Sequence, residues 1–166
     1  LSASPVTDFL ASAFSYHGEK ILVSSGDPGF PLTRIFDTDA RTWEPVAQGM
    51  SSVAWSPNDL RIAYLAARGP QIALATLDTS STSTKPREVL KMRGEGFALT
   101  WIRPDRLIFG EKPTAFAPCS LWSFDLTKKT FTPLLESQLG LMVLWNTAGD
   151  RGVLFTAHPS RRGGKL

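Results

Sequence analysis

A single cysteine among 166 residues excludes an internal disulfide framework, and two histidines supply too few ligands for a zinc cluster. No apolar run approaches the roughly 18 residues that a membrane-spanning helix needs. The opening stretch LSASPVTDFLASAF has neither a basic n-region nor a continuous apolar core, so it does not read as a signal peptide. It begins on Leu1 rather than Met, as a processed, truncated or partial chain would. No stretch shows an amphipathic helical stripe with caps. No Gly-x-Ser-x-Gly elbow presents a serine nucleophile, and Gly163-Gly164 lacks the spacing of a phosphate-binding loop.

The remaining composition is that of one ordinary globular domain. Hydrophobic residues make up 42% and charged residues 20%, enough to bury a core and too apolar for a disordered chain. Thirteen Gly and twelve Pro signal many turns. Residues 1–80 hold five Lys/Arg against eight Asp/Glu, net −3, whereas residues 81–166 hold thirteen against seven, net +6. A basic half can attract nucleic acid or anionic lipid. Apart from Lys128-Lys129 and Arg161-Arg162, however, these charges are scattered singly, as on a solvated surface, and no nucleic-acid partner is expected.

An internal repeat organises the chain. FLASAFSYHGEKILVS, SVAWSPNDLRIAYLA, ALTWIRPDRLIFG and MVLWNTAGDRGVLFT share an apolar run ending in an aromatic, a polar turn and a β-branched run. The aromatic anchors Phe14, Trp55, Trp101 and Trp145 are 41, 46 and 44 residues apart. Seven residues beyond the first three stand Ile21, Ile62 and Ile108; Val153, eight beyond Trp145, suggests one extra turn residue in the fourth unit. A second marker, a strand ending in Asp37, Asp78 and Asp125, repeats at 41 and 47 residues. Alternating apolar and polar residues with Gly/Pro/Asn/Asp punctuation divide each unit into short strands. In the second unit they fall near Ser52–Trp55, Arg61–Ala66, Gln71–Leu77 and Arg87–Leu90.

These residues carry a resemblance. Trp55-Ser56-Pro57-Asn58-Asp59-Leu60-Arg61-Ile62-Ala63-Tyr64 resembles the W-S-P-D-G-x-x-I-A-F signature of bacterial WD40-like repeats in TolB-like β-propeller proteins. Leu121-Trp122-Ser123-Phe124-Asp125-Leu126 resembles the L-W-x-x-D-L strand of the same family, and Phe14-Ser15-Tyr16-His17-Gly18-Glu19-Lys20-Ile21 follows the plan with Phe for Trp. The third unit, Arg103-Pro104-Asp105, lacks the Gly, and the fourth keeps only Gly149. The resemblance implies an all-β propeller of four-stranded antiparallel blades, with units near 9–48, 49–94, 95–138 and an incomplete 139–166. It implies a fragment of a larger propeller, because such rings close with about four to eight blades. The function it implies is a non-enzymatic protein-binding or assembly scaffold in bacteria. The alternative is the accessory propeller of a larger prolyl-oligopeptidase-like hydrolase. No compartment follows: cytoplasm, or periplasm or cell surface if a targeting segment precedes residue 1.

The four anchors are expected in the core between units. No catalytic, cofactor or metal residue is expected. His17 sits at the repeat's turn position, His158 in a loop, and Cys119 in a strand with no neighbouring His to activate it. Asp37-Thr38-Asp39-Ala40-Arg41 begins like a calcium loop but puts Arg at the fifth ligand position. Loops joining second to third strands share one face of a propeller. They carry Phe30, Arg68, Phe116, Arg161 and Arg162, the aromatic and arginine types that anchor protein interfaces. Leu141, Val143, Val153 and Phe155 of the last unit are expected to face an open edge through which the chain self-associates or frays.

Overall fold

The computed structural model describes residues 9–25, 32–69, 71–80, 85–114, 117–138, 141–145 and 152–156. They form antiparallel meanders in chain order. Sheet one contains β1 (Phe9–Phe14), β2 (Lys20–Ser25), β3 (Leu32–Asp37) and β4 (Thr42–Gln48). Sheet two contains β5 (Met50–Trp55), β6 (Arg61–Arg68), β7 (Gln71–Asp78) and β8 (Arg87–Arg93). Sheet three contains β9 (Glu95–Arg103), β10 (Arg106–Lys112), β11 (Cys119–Asp125) and β12 (Thr130–Gln138), and β13 (Leu141–Trp145) pairs with β14 (Gly152–Thr156). The first strands of successive sheets touch one another, β1 on β5, β5 on β9 and β9 on β13, so they form the inner edge and β4, β8 and β12 the outer.

Two apolar clusters glue the sheets together. Between sheets one and two lie Leu22, Ile35, Trp55, Ile62, Tyr64 and Leu77. Between sheets two and three lie Leu65, Leu74, Met92, Trp101, Leu107 and Phe124. Strand alternation explains the division: Tyr64 and Leu65 are neighbours in β6 and serve opposite clusters, which is why this central strand is buried on both faces.

Trp55 and Trp101 are buried as expected, and each indole locks onto the preceding sheet. Trp55 Nε1 donates to the Ala13 carbonyl and Trp101 Nε1 to the Ala54 carbonyl, both at 3.0 Å. Phe14 departs from expectation, since it is 65% exposed. The anchor covers the sheet before it, and among the described residues no sheet stands before sheet one. The Trp145 side chain lies outside the described residues, as do those of Leu141, Val143, Val153 and Phe155.

Strand pairing corrects two register assignments. Trp101 pairs with Leu107, not Ile108, because the turn Pro104-Asp105 is shorter than its counterparts in sheets one and two. Trp145 pairs with Gly152 and not Val153, seven residues on as in Phe14↔Ile21 and Trp55↔Ile62. The inner strands β1, β5 and β9 also carry a β-bulge before the anchor. In β5 and β9 it coincides with positive φ at Ser52 (47°) and Ala98 (51°), each three residues before the Trp.

Candidate binding site

One edge of the sheets is a latticework of turns. Ser15 and Ser56 close equivalent turns: the Lys20 N–H donates to Ser15 Oγ and the Arg61 N–H to Ser56 Oγ, both at 3.0 Å. The first and third turns of each sheet are then joined, with the Thr38 N–H on the Glu19 carbonyl, Thr79 on Leu60 and Leu126 on Asp105. Two side chains cross between sheets. The Asp59 carboxylate accepts the Tyr16 and His17 N–H groups and meets His17 Nδ1 at 2.8 Å; Arg61 reaches the other way, over the Trp101 ring to the Pro104 carbonyl. His17 is therefore a turn residue, as its position in the repeat suggests, and also part of the joint between sheets one and two.

The repeated aspartates are structural. Asp37 Oδ1 accepts the Asp39 and Ala40 N–H groups, so the incipient calcium loop spends its first carboxylate on a backbone turn. Asp78 Oδ1 accepts the Ser80 hydroxyl and N–H, and Asp125 Oδ1 the Thr127 and Lys128 N–H groups. The Ser80 hydroxyl, then its N–H, holds the Asp78 carboxyl below its ordinary 3.8. The Lys128 N–H, with help from Thr127 and Arg106, does the same for Asp125. Folded values depressed below 3.8 mean that both groups contribute stability that is complete above that pH and is lost as pH falls through the folded values. The chain should therefore lose stability on acidification below about pH 3.8, and Asp125→Asn should flatten that limb while lowering stability at pH 7. Urea denaturation followed from pH 7 to 2 checks this; an unchanged acid slope in the variant would contradict it.

On the opposite edge run the second-to-third-strand loops. Phe30, Phe116, Arg161 and Arg162 lie outside the described residues, as does the side chain of Arg68, whose backbone pairs with Gln71 at the end of β6. The structure thus neither gathers nor separates these five candidates. Cys119 is a buried strand residue in β11.

One concavity among the described residues was not visible in the sequence. Between the outer parts of sheets two and three opens a groove of about 270 Å³, lined by Leu90, Lys91, Met92, Phe109, Glu111, Trp122 and Phe131. It exists because the sheets pack tightly at Trp101 and Leu107 and splay outward. Phe131 stacks on Phe124 at 4.7 Å, which draws one wall back toward its own sheet. Trp122 lines the groove, and its buried Nε1 has no acceptor among the described residues. Trp122 belonged to the resemblance, but nothing in its spacing announced a groove.

Repeated four-stranded meanders, packed face to face with their first strands innermost, define the chain as a β-propeller. Solved structures place it among TolB-like propellers in fold. TolB from Acinetobacter baumannii superposes with a TM-score of 0.74 at 15% identity, over 93% of this chain and 39% of that one. The β-propeller domain of the Trilobed protease from Pyrococcus furiosus gives 0.68 at 12% identity, over 99% and 53%. An acylaminoacyl peptidase from Pyrococcus horikoshii gives 0.62 at 11% identity, over 88% and 27%. The chain thus spans well under two thirds of each of these proteins. No family model matches it, and no curated protein matches it in sequence.

Proposed function

We propose that the chain is a non-enzymatic, protein-binding propeller scaffold that works by packing against other folded surfaces. The observation that supports this most is an uncovered aromatic row. Phe14, Ile21, Phe36 and Trp43 stand side by side across β1–β4, with Phe14 65% and Trp43 46% exposed. The corresponding residues Trp55, Ile62 and Leu77 in sheet two and Trp101, Leu107 and Phe124 in sheet three are buried against the preceding sheet, whereas the outermost Phe131, opposite Phe124, stays 44% exposed much as Trp43 does, so the contrast rests on Phe14. An apolar face of this composition is a contact surface. In this proposal Phe30, Arg68, Phe116, Arg161 and Arg162 add anchors on the loop edge.

The isolated chain is expected to associate through the exposed row. Light scattering after gel filtration should show species heavier than 18.1 kDa that grow with concentration. Phe14→Ser with Trp43→Ser should return them to monomer, since both side chains are exposed and the core is untouched. A chain that stays monomeric at every concentration would count against the proposal. The second reading, an accessory propeller of a larger hydrolase, draws support from the likeness to the acylaminoacyl peptidase. A Gly-x-Ser-x-Gly elbow encoded beyond Leu166 would decide for it.

A further inference from the structure

The outer strands of the three sheets are not equivalent. Each bonds to one neighbour, leaving its outer backbone edge without a strand among the described residues. Sheets one and three blunt that edge with proline: Pro45 in β4 and Pro133 in β12, opposite Arg34 and Trp122, each three residues before the repeated aspartate. Proline lacks the N–H that an added strand would use, a common protection for an exposed edge. β8 has no proline between Arg87 and Arg93, and Glu88 stands opposite Ala75 where the others have proline. β8 is not bare, since it carries a bulge at Val89 and the charges of Lys91 and Arg93, but of the two outer strands that border the groove, β8 and β12, it is the one without proline.

The side chains of β8 alternate in a way that specifies what would fit. Leu90 and Met92, paired with Leu74 and Ile72, face sheet three and line the groove. Lys91 and Arg93, paired with Ala73 and Gln71, follow the opposite alternation along the strand and are exposed, and Lys91 also borders the groove. Lys91 makes a loose 3.6 Å pair with the exposed Glu88, which surface screening leaves weak. A strand laid beside β8 would follow the same alternation, with every second side chain toward the aromatic groove and the others beside Lys91 and Arg93.

We propose that β8 is a docking edge for an extended segment of a partner protein that alternates acidic with large apolar residues. The segment adds to sheet two as a further strand. Its backbone takes up the free edge of β8, its apolar side chains enter the groove against Leu90, Phe109, Trp122 and Phe131, and its carboxylates meet Lys91 and Arg93. A groove of about 270 Å³ is below the usual size of a small-molecule site and suits one or two large side chains. The proposal rests on the protein-binding reading above but uses a surface remote from the aromatic row of sheet one.

The test uses the full chain and a short fluorescent peptide alternating glutamate with leucine, followed by anisotropy and by the Trp122 indole signal in NMR. Binding with a shift of that signal is expected. Replacing the glutamates with lysine, or N-methylating alternate backbone amides of the peptide, should each weaken binding at least tenfold, and neither change can unfold the protein. Lys91→Glu with Arg93→Glu, both exposed, should weaken it similarly. Absence of binding, equal binding of the lysine peptide, or an unmoved Trp122 signal would each overturn the proposal. Self-association that persists while the peptide fails to bind would remove this groove alone and leave the sheet-one surface standing.

Discussion

Trp101→Ala should cost about 3–5 kcal/mol of folding stability, among the largest effects available to a single substitution in this chain. The side chain is 1% exposed, fills the cluster between sheets two and three, and donates to the Ala54 carbonyl across the joint. Arg61 also lies over its ring, 5.2 Å from the centroid, before reaching the Pro104 carbonyl, so truncation loosens a second inter-sheet link. Trp101→Phe separates the contributions: it keeps most of the buried surface and loses the indole bond, for about 1 kcal/mol beyond the change in packing. Phe14→Ala supplies a control at the same place in the repeat. Its side chain is 65% exposed, so its loss should stay within about 0.5 kcal/mol in monomeric conditions. Urea midpoints of the three variants, measured in dilute protein, give the comparison. A Trp101→Ala change as mild as Phe14→Ala would mean that sheets two and three do not pack as described.

That contrast shows what was legible in the sequence and what was not. The fold was legible because two markers, the aromatic anchor and the strand-ending aspartate, drift together along the chain and each has a structural cause. The tryptophan joins one sheet to the previous one, and the aspartate caps a turn. Burial of a given anchor was not legible, because it depends on the neighbouring sheet and not on the anchor's own unit; Phe14 and Trp101 occupy the same repeat position with opposite exposure. Register failed where turn length changed. Ile108 seemed equivalent to Ile62 by counting, yet Pro104-Asp105 makes a shorter turn and shifts the pairing to Leu107. The groove was illegible for a third reason. It arises from the splay between two sheets, and Leu90, Phe109, Trp122 and Phe131 come from four strands whose separations carry no period.

Gly94→Ala should be destabilising by about 3 kcal/mol or more, although the residue is a turn glycine with no part in either cluster. Gly94 joins β8 to β9 at φ +82°, and Gly49 joins β4 to β5 at φ +70°. Gly140 precedes β13 in the same way in the sequence, so 49, 94 and 140 form a third repeat marker. The left-handed backbone alone costs an L-residue about 1–2 kcal/mol. At Gly94 there is also no room: a Cβ would collide with the carbonyl oxygens of Lys112 and Pro113, which are backbone and cannot swing aside. Gly18 isolates the first contribution. Its φ is +81° with nothing within 4 Å of a Cβ, and its counterpart in sheet two is Asp59 at φ +54°. Gly18→Ala should therefore cost only about 1–2 kcal/mol. The difference between the two variants measures how closely the β10–β11 loop approaches the turn between sheets two and three. The collision also bears on the groove, since Gly94 follows Met92 by two residues and Lys112 follows Glu111, so relief of the overlap must move one of its walls. Urea midpoints, with hydrogen exchange read over β8 and β9, provide the check. Equal losses for Gly94→Ala and Gly18→Ala would show that the loop does not press on Gly94 in solution, and the close packing assigned to that joint would be wrong.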